Sequence, residues 1–154
     1  MIAFSDSDWA GCKTSRRSVS GGMLVIDGCA LKCWSNRQVT VALSSGEAEL
    51  YAATKAVAEL FGFESLMADM NWKVEPVPEL WMDSNAARGM VGRRGLGKTR
   101  HIDVRRLWLQ EALEAKRLVT KKVSGASNPP DVLTKLKSFR ETSALIGLVN
   151  LLFV

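Results

Sequence analysis

Six carboxylates stand where a strand or helix is read to begin or end, and that placement gives them chemical interest. Asp6 and Asp8 close the first strand, and Asp83 closes a later one. Glu47 and Glu49 lie in the first turn or so of the first long helix, and Asp131 opens the last helix. Sites in open α/β sheets collect at such ends. Carboxylates gathered without paired bases repel one another and raise one another's pKa. Two divalent cations relieve that cost. In two-metal sites the ions lie about 3.5–4 Å apart, one activating water and the other stabilising the leaving oxygen of a phosphodiester. Mg²⁺ suits such a site because it takes hard oxygen ligands and keeps positions open for water and phosphate. Against this, 16 acids must fall somewhere, and the helix dipole favours acids at helix starts in any case.

The elements that would position these acids follow from periodicity. Ile2 to Trp9 alternates and reads as a strand with Ile2, Phe4, Asp6 and Asp8 on one side. Lys13 to Gly22 reads as a polar, basic connection. Met23 to Ile26 and Cys29 to Trp34 form two short strands joined by Asp27-Gly28, a two-residue hairpin signal. Val39 to Leu43 leads into Ser44-Ser45-Gly46-Glu47, a capping box in which Ser44 caps the helix and Glu47 reaches back. That helix runs to about Phe61, with Leu50, Ala53, Val57, Leu60 and Phe61 as its core stripe. Pro76 and Pro78 introduce a strand, Leu80 to Met82, and Ser84 or Asn85 caps a short helix from Ala86 to Val91.

A glycine-punctuated basic loop, Gly92 to Arg100, precedes a long helix from Ile102 or Asp103 to about Lys116, with Val104, Leu107, Trp108 and Ala112 inward. Leu118 to Val123 is a strand, Ser124 to Asn128 a turn, and Pro129, Pro130 and Asp131 open the last helix of the body. The order βββ-α-β-α-α-β-α describes an α/β domain with a five-stranded mixed sheet flanked by helices. Residues 1–136 form this domain, and residues 137–154 an apolar helical tail that packs on the body or on a neighbouring domain.

The 154 residues fit one domain, with 47% apolar and 24% charged residues in an ordinary globular balance. No apolar run approaches the ~18–20 residues that cross a bilayer, and the N-terminus lacks a signal-peptide layout. This argues against a secreted or membrane protein. Cys29 and Cys33, four residues apart on one strand, stand roughly 13 Å apart, too far for a disulfide. With one His and no CxxC pair, zinc is a poor fit, so Cys12, Cys29 and Cys33 read as reduced and mostly buried, in an intracellular protein. Of the net +5, the stretch from Arg88 to Arg106 alone carries +6, through Arg88, Arg93, Arg94, Lys98, Arg100, Arg105 and Arg106 against Asp103. Positive charge confined to one place suits a phosphate-binding surface, although charge runs are often only a solvated face. The five tryptophans read as core rather than base-stacking platforms.

Several of these segments carry a resemblance. Ser5-Asp6-Ser7-Asp8-Trp9-Ala10-Gly11, Arg17-Ser18-Val19-Ser20-Gly21-Gly22 and Val41 to Glu49 (VALSSGEAE) are similar to the ribonuclease H domain of Copia-type (Pseudoviridae) retrotransposon Pol polyproteins. Trp81-Met82-Asp83-Ser84-Asn85, Lys98-Thr99-Arg100-His101-Ile102-Asp103 and Asn128-Pro129-Pro130-Asp131-Val132-Leu133-Thr134-Lys135 continue the match in the same order. Six ordered motifs cover roughly residues 4 to 136.

The resemblance implies a ribonuclease H-like fold with Asp6, Glu49, Asp83 and Asp131 as the catalytic, metal-holding acids. It implies two Mg²⁺ ions, with Mn²⁺ as a substitute, and hydrolysis of the RNA strand of an RNA–DNA hybrid. Asp8 and Glu47 are second choices for the first two positions, and helical phase alone does not separate Glu47 from Glu49. His101 belongs to the His-Ile-Asp motif at a helix start, which favours a structural or substrate-contact role over catalysis. Arg93, Arg94, Lys98 and Arg100 would grip the nucleic-acid backbone. The implied partner is the reverse transcriptase domain of the same polyprotein, and the implied location is the cytoplasm, the nucleus or a virus-like particle. Two departures stand out: Pro130 replaces the usual Ala before Asp131, and the chain starts at the first strand with no upstream polymerase. Two rivals remain. An integrase-like nuclease would place its glutamate on a later helix, whereas Glu49 precedes the fourth strand. A decayed retroelement fragment would bind nucleic acid or dock a polymerase without cutting.

Overall fold

The computed structural model describes residues 1–93 and 108–151. Five strands form one sheet in the order β3-β2-β1-β4-β5. β1 (Ile2–Asp8), β2 (Val19–Ile26) and β3 (Cys29–Arg37) make an antiparallel meander, and β4 (Glu79–Met82) and β5 (Val119–Lys122) run parallel to β1. The β2–β3 turn is Asp27-Gly28, with φ of 48° and 80°, the left-handed pair a tight hairpin needs. The helices are α1 (Ser45–Asp69), α2 (Asn85–Gly92), α3 (Trp108–Glu114), α4 (Asp131–Thr134) and α5 (Phe139–Gly147). This is the mixed five-stranded sheet with flanking helices that the periodicity predicts.

The central strand divides its side chains between two cores. Ala3 faces the larger one, where Leu50, Ala53, Val57 and Leu60 of α1 pack on Leu24, Leu80 and Met82 of the sheet, with α2 and α3 closing the layer. Each fully buried Leu or Val of that stripe contributes roughly 1.5–3 kcal/mol of transfer free energy. Ile2 and Phe4 face the other side, against Met23, Val25, Val132, Leu133 and Val149. Beyond Phe4 the same alternation puts Ser7 toward α1 and Asp6 toward α4.

Several boundaries differ from the sequence reading, each for a packing reason. β2 begins at Val19, four residues before Met23, because Gly21 and Gly22 are strand residues whose small size other elements exploit. A Cβ on Gly22 would sit 2.1 Å from the Trp34 ring, and one on Gly21 would sit 2.7 Å from Thr134 Cγ2 and 3.0 Å from the Pro130 carbonyl oxygen. Helix α1 runs past Phe61 and Gly62 to Asp69, with Met67 buried near its end. Helix α4 is a single turn, with Pro130 before it at φ −65°, the value its ring imposes. Val104, Leu107 and the start of the helix expected from Ile102 lie outside the described residues, within which Leu109 and Ala112 of α3 are buried.

After α4 the chain reaches α5, opened by a capping box between Ser138 and Glu141. It then lays Val149 against the second core, where the Ala30 amide donates to the Val149 carbonyl at 2.9 Å. The cysteines are unpaired as expected but not mostly buried: Cys29 and Cys33 are exposed on β3, and Cys12 is half-buried. Trp9 and Trp72 are likewise exposed rather than core. Among the described residues no helix is long and apolar enough to cross a membrane.

Candidate active site

Strand register builds the first half of the site. β1 and β4 run parallel with Ser5 opposite Met82, so the next residue of each chain, Asp6 and Asp83, emerges on adjacent strands at the same end. Glu49, in the second turn of α1, reaches over the same end. Its Oε1 accepts from the Ser7 amide at 3.1 Å and from the Ser7 hydroxyl at 3.0 Å. One ligand atom from each of Asp6, Glu49 and Asp83 lies within 4.8 Å of the other two. Asp6 is fully buried, Glu49 is 8% exposed, and among the described residues Glu49 Oε2 has no hydrogen-bond partner. Gly125 borders this cluster, since a Cβ there would stand 3.2 Å from Asp83 Oδ2.

The second half is built by α4. Gly21 gives the helix its seat on β2, and the buried Asn128 side chain donates to the Ser5 carbonyl at 3.0 Å, tying the approach to α4 to β1. Asp131 does not join the three-acid group but faces two ammonium groups. Lys135 Nζ lies 2.5 Å from Asp131 Oδ1 and 3.3 Å from Asp6 Oδ1, and Lys137 Nζ lies 2.7 Å from Asp131 Oδ2. The Thr134 hydroxyl also donates to Asp6 Oδ2. Three of the four acids therefore cluster, and the fourth is salt-bridged beside Asp6.

The electrostatics follow this division. Burial pushes Glu49 up to about 8, with the charges of Asp6 and Asp83 adding to it against the Ser7 hydrogen bonds. Burial likewise pushes Asp6 up to about 6, opposed by Thr134 and Lys135 and reinforced by Asp131 and Asp83. Burial acts on Asp131 in the same sense, but its bonds to Lys135 and Lys137 prevail and hold it below the usual carboxylate range. Lys135 is correspondingly raised, its contacts with Asp131 and Asp6 outweighing its own burial.

The remaining candidates separate by their partners. Glu47 accepts from the Leu43 amide at 2.9 Å and from the Tyr51 hydroxyl, so it fastens the start of α1 and stays out of the cluster. Its backward bond reaches Leu43 rather than Ser44, one residue beyond a strict capping box, while Ser44 accepts from the Glu47 amide as expected. Asp8 accepts from the Val19 amide and so holds the end of the β1–β2 ladder. Arg93 follows the last turn of α2. Arg94, Lys98, Arg100 and His101 lie outside the described residues. Sequence reasoning assigned no role to Ser7, Asn128, Lys135 or Lys137. The spacing of four between Asp131 and Lys135 was the one readable signal.

A hard divalent ion fits this arrangement. The three-acid group offers only oxygen donors, and Glu49 Oε2 is a buried acceptor short of a donor, the deficit a cation makes good.

Comparison with known proteins follows the same lines. No protein-family model matches the chain. It is 30% identical over 152 residues, 96% of its length, to the retrovirus-related Pol polyprotein from transposon TNT 1-94 of Nicotiana tabacum, of which it spans only 11%. It is 49% identical over 59 residues to the uncharacterized mitochondrial protein AtMg00810 of Arabidopsis thaliana, covering 38% of this chain and 24% of that one. An N-terminal RNase H domain from Mycobacterium tuberculosis superposes with a TM-score of 0.61 at 13% identity, over 96% of this chain and 94% of the other. A compost-derived RNase H1 superposes at 0.64 with 18% identity, over 86% and 91%. The same enzyme, in a structure described as a complex with RNA/DNA hybrid, superposes at 0.54 with 18% identity, over 86% and 92%. The chain thus has the ribonuclease H fold and is related in sequence to a segment of a retrovirus-related transposon Pol polyprotein.

Proposed function

We propose that this domain is a divalent-metal-dependent endonuclease that cuts the RNA strand of an RNA–DNA hybrid, leaving a 3′-hydroxyl and a 5′-phosphate. The observation that carries the reading is the group Asp6–Glu49–Asp83, with Asp6 and Glu49 buried, Asp83 half-buried and one Glu49 oxygen unpartnered, at the strand ends of a ribonuclease H fold. Asp6, Glu49 and Asp83 would hold one ion, and Asp131, beside Asp6, would help to hold the other. Bound there, two Mg²⁺ or Mn²⁺ ions supply an acidified water and neutralise charge at the leaving 3′-oxygen.

The chain's own residues do the rest. Ser7 fixes the Glu49 carboxylate through two hydrogen bonds, so it cannot swing away when the cluster is neutralised. Thr134 and Asn128 hold Asp6 and the approach to α4 in place. Arg93, Arg94, Lys98 and Arg100 grip phosphates without reading sequence, and the 2′-hydroxyls mark the strand to be cut. For His101 the role is structural or one of substrate contact rather than catalysis. The kinship with a Pol polyprotein supports a Copia-type element, an intracellular site of action and a reverse transcriptase domain as partner.

A labelled RNA–DNA hybrid offered to the purified protein with Mg²⁺ or Mn²⁺ tests the reading. Cleavage confined to the RNA of the hybrid, and lost in Asp6→Asn, is expected. Binding without metal-dependent cleavage, even when the chain is joined to its polymerase, would refute it.

A further inference from the structure

We infer that Lys135 is a built-in counter-cation for the Asp6–Asp131 pair, so that a second divalent ion reaches Asp131 only by displacing the Lys135 ammonium. The inference rests on the metal-dependent reading of the site and deepens it by giving the two ions an order of binding.

The two halves of the site differ in what they lack. In one, Asp6, Glu49 and Asp83 stand within 4.8 Å, and the unpartnered Glu49 Oε2 belongs to a residue only 8% exposed. In the other, both oxygens of Asp131 are taken, Oδ1 by Lys135 at 2.5 Å and Oδ2 by Lys137 at 2.7 Å. Lys135 also bridges to Asp6 Oδ1 at 3.3 Å, so its ammonium lies against both acids that a second ion would need. An ammonium is a compact point charge with three rotatable donors, which lets one lysine serve two carboxylates as a small cation would.

The lysine is also placed to leave. Its side chain is 43% exposed while those of Asp6 and Asp131 are 0% and 7% exposed, so the charge sits at the mouth of the site on a flexible stem. Lys137 pairs with Asp131 rather than Asp6, and keeps hold of Asp131 Oδ2 when Lys135 turns outward. The first ion therefore binds where an ammonium is met only at Asp6, by the longer of the two Lys135 contacts, 3.3 Å against 2.5 Å at Asp131. The second must break two charge-assisted hydrogen bonds, and it binds correspondingly more weakly.

Manganese titration of the metal-free full chain, read by the electron paramagnetic resonance of free Mn²⁺, tests this in wild type, Lys135→Met and Lys135→Arg. Wild type should bind one Mn²⁺, with a second at least tenfold weaker. In Lys135→Met the second dissociation constant should fall at least tenfold and the first should stay within about twofold. Lys135→Arg, which keeps the charge, should leave the second site weak. A second site unchanged in Lys135→Met, or two equal sites in wild type, would overturn the inference. Absence of any Mn²⁺ binding by wild type would overturn the metal-dependent reading itself, which the first site reports separately. A readout independent of variants is the Nζ resonance of Lys135 in ¹⁵N-labelled wild type titrated with Mg²⁺. It should move with the second equivalent, and movement complete at the first would refute the order of binding.

Discussion

Replacing Glu49 by Gln should stabilise the metal-free protein, and the gain should depend on pH. Burial and the neighbouring charges of Asp6 and Asp83 raise Glu49 from an ordinary 4.5 to about 8. A carboxyl held protonated by the fold binds more protons in the native than in the unfolded state, so its linkage makes stability fall as pH rises from about 4.5 to about 8. A shift of that size corresponds to roughly 4–5 kcal/mol against the ionised native form. Water entering the cluster would lower this, so about 2–4 kcal/mol is the expected advantage of Glu49→Gln at pH 8 in chelator. For a domain of this size that is on the order of 5–12 °C in Tm. At pH 5, where native Glu49 carries its proton, the advantage should shrink below about 1 kcal/mol. Saturating Mn²⁺ should close most or all of the gap at pH 8, since an ion at a hundredfold its Kd contributes about 2.7 kcal/mol to the protein that binds it. The assay is urea denaturation in chelator at pH 5 and pH 8, followed by circular dichroism. Parallel pH profiles for wild type and Glu49→Gln would refute the argument, because a carboxylate that titrates normally is neither buried nor crowded by other acids.

The opposite sign belongs to Asp131, which its lysines hold ionised. Asp131→Asn should lower stability at neutral pH, and its deficit against wild type should close as pH falls through the carboxylate range in the same denaturation series. Gly21→Val should cost about 1–3 kcal/mol and weaken hybrid cleavage, because its side chain would strike Thr134 and the Pro130 carbonyl and lift α4 from β2. Tm and cleavage rate should fall together, and a normal rate would show that the seat of α4 does not set the site. Neutralising Arg93, Arg94 and Lys98 together should make the salt dependence of hybrid binding shallower, by about 0.9 for each phosphate of a duplex that they no longer neutralise. An unchanged slope would remove these residues from the interface.

The sequence was most legible where backbone period alone decides position. Alternation along Ile2–Asp8 and the short apolar run at Leu80–Met82 located Asp6 and Asp83 at strand ends, and the parallel register then made them neighbours. Glu47 and Glu49 flank one helical stripe and could not be separated by phase. What separates them is tertiary: Ser7 comes from 42 residues earlier to hold Glu49, while Leu43 and Tyr51 hold Glu47. The start of β2 was hidden because Ser20-Gly21-Gly22 has the composition of a loop, and only the neighbours Trp34 and Thr134 make glycine the residue that fits. Lys135 and Lys137 were hidden for a related reason. Basic residues just after an acid read as a solvated helix face, and the approach of Lys135 to Asp6 depends on a contact spanning 129 positions of chain.

The placement of the acids on elements of unequal size has a consequence for how the site comes apart. Asp6 lies on the middle strand, paired along both edges, and Glu49 on a helix of 25 residues, whereas Asp131 rides on one of four. Amide exchange along β1 should therefore track global unfolding, while α4 opens by a smaller, separate excursion. Such an excursion withdraws one carboxylate and leaves the other three assembled, so the centre loses capacity in steps and from one side.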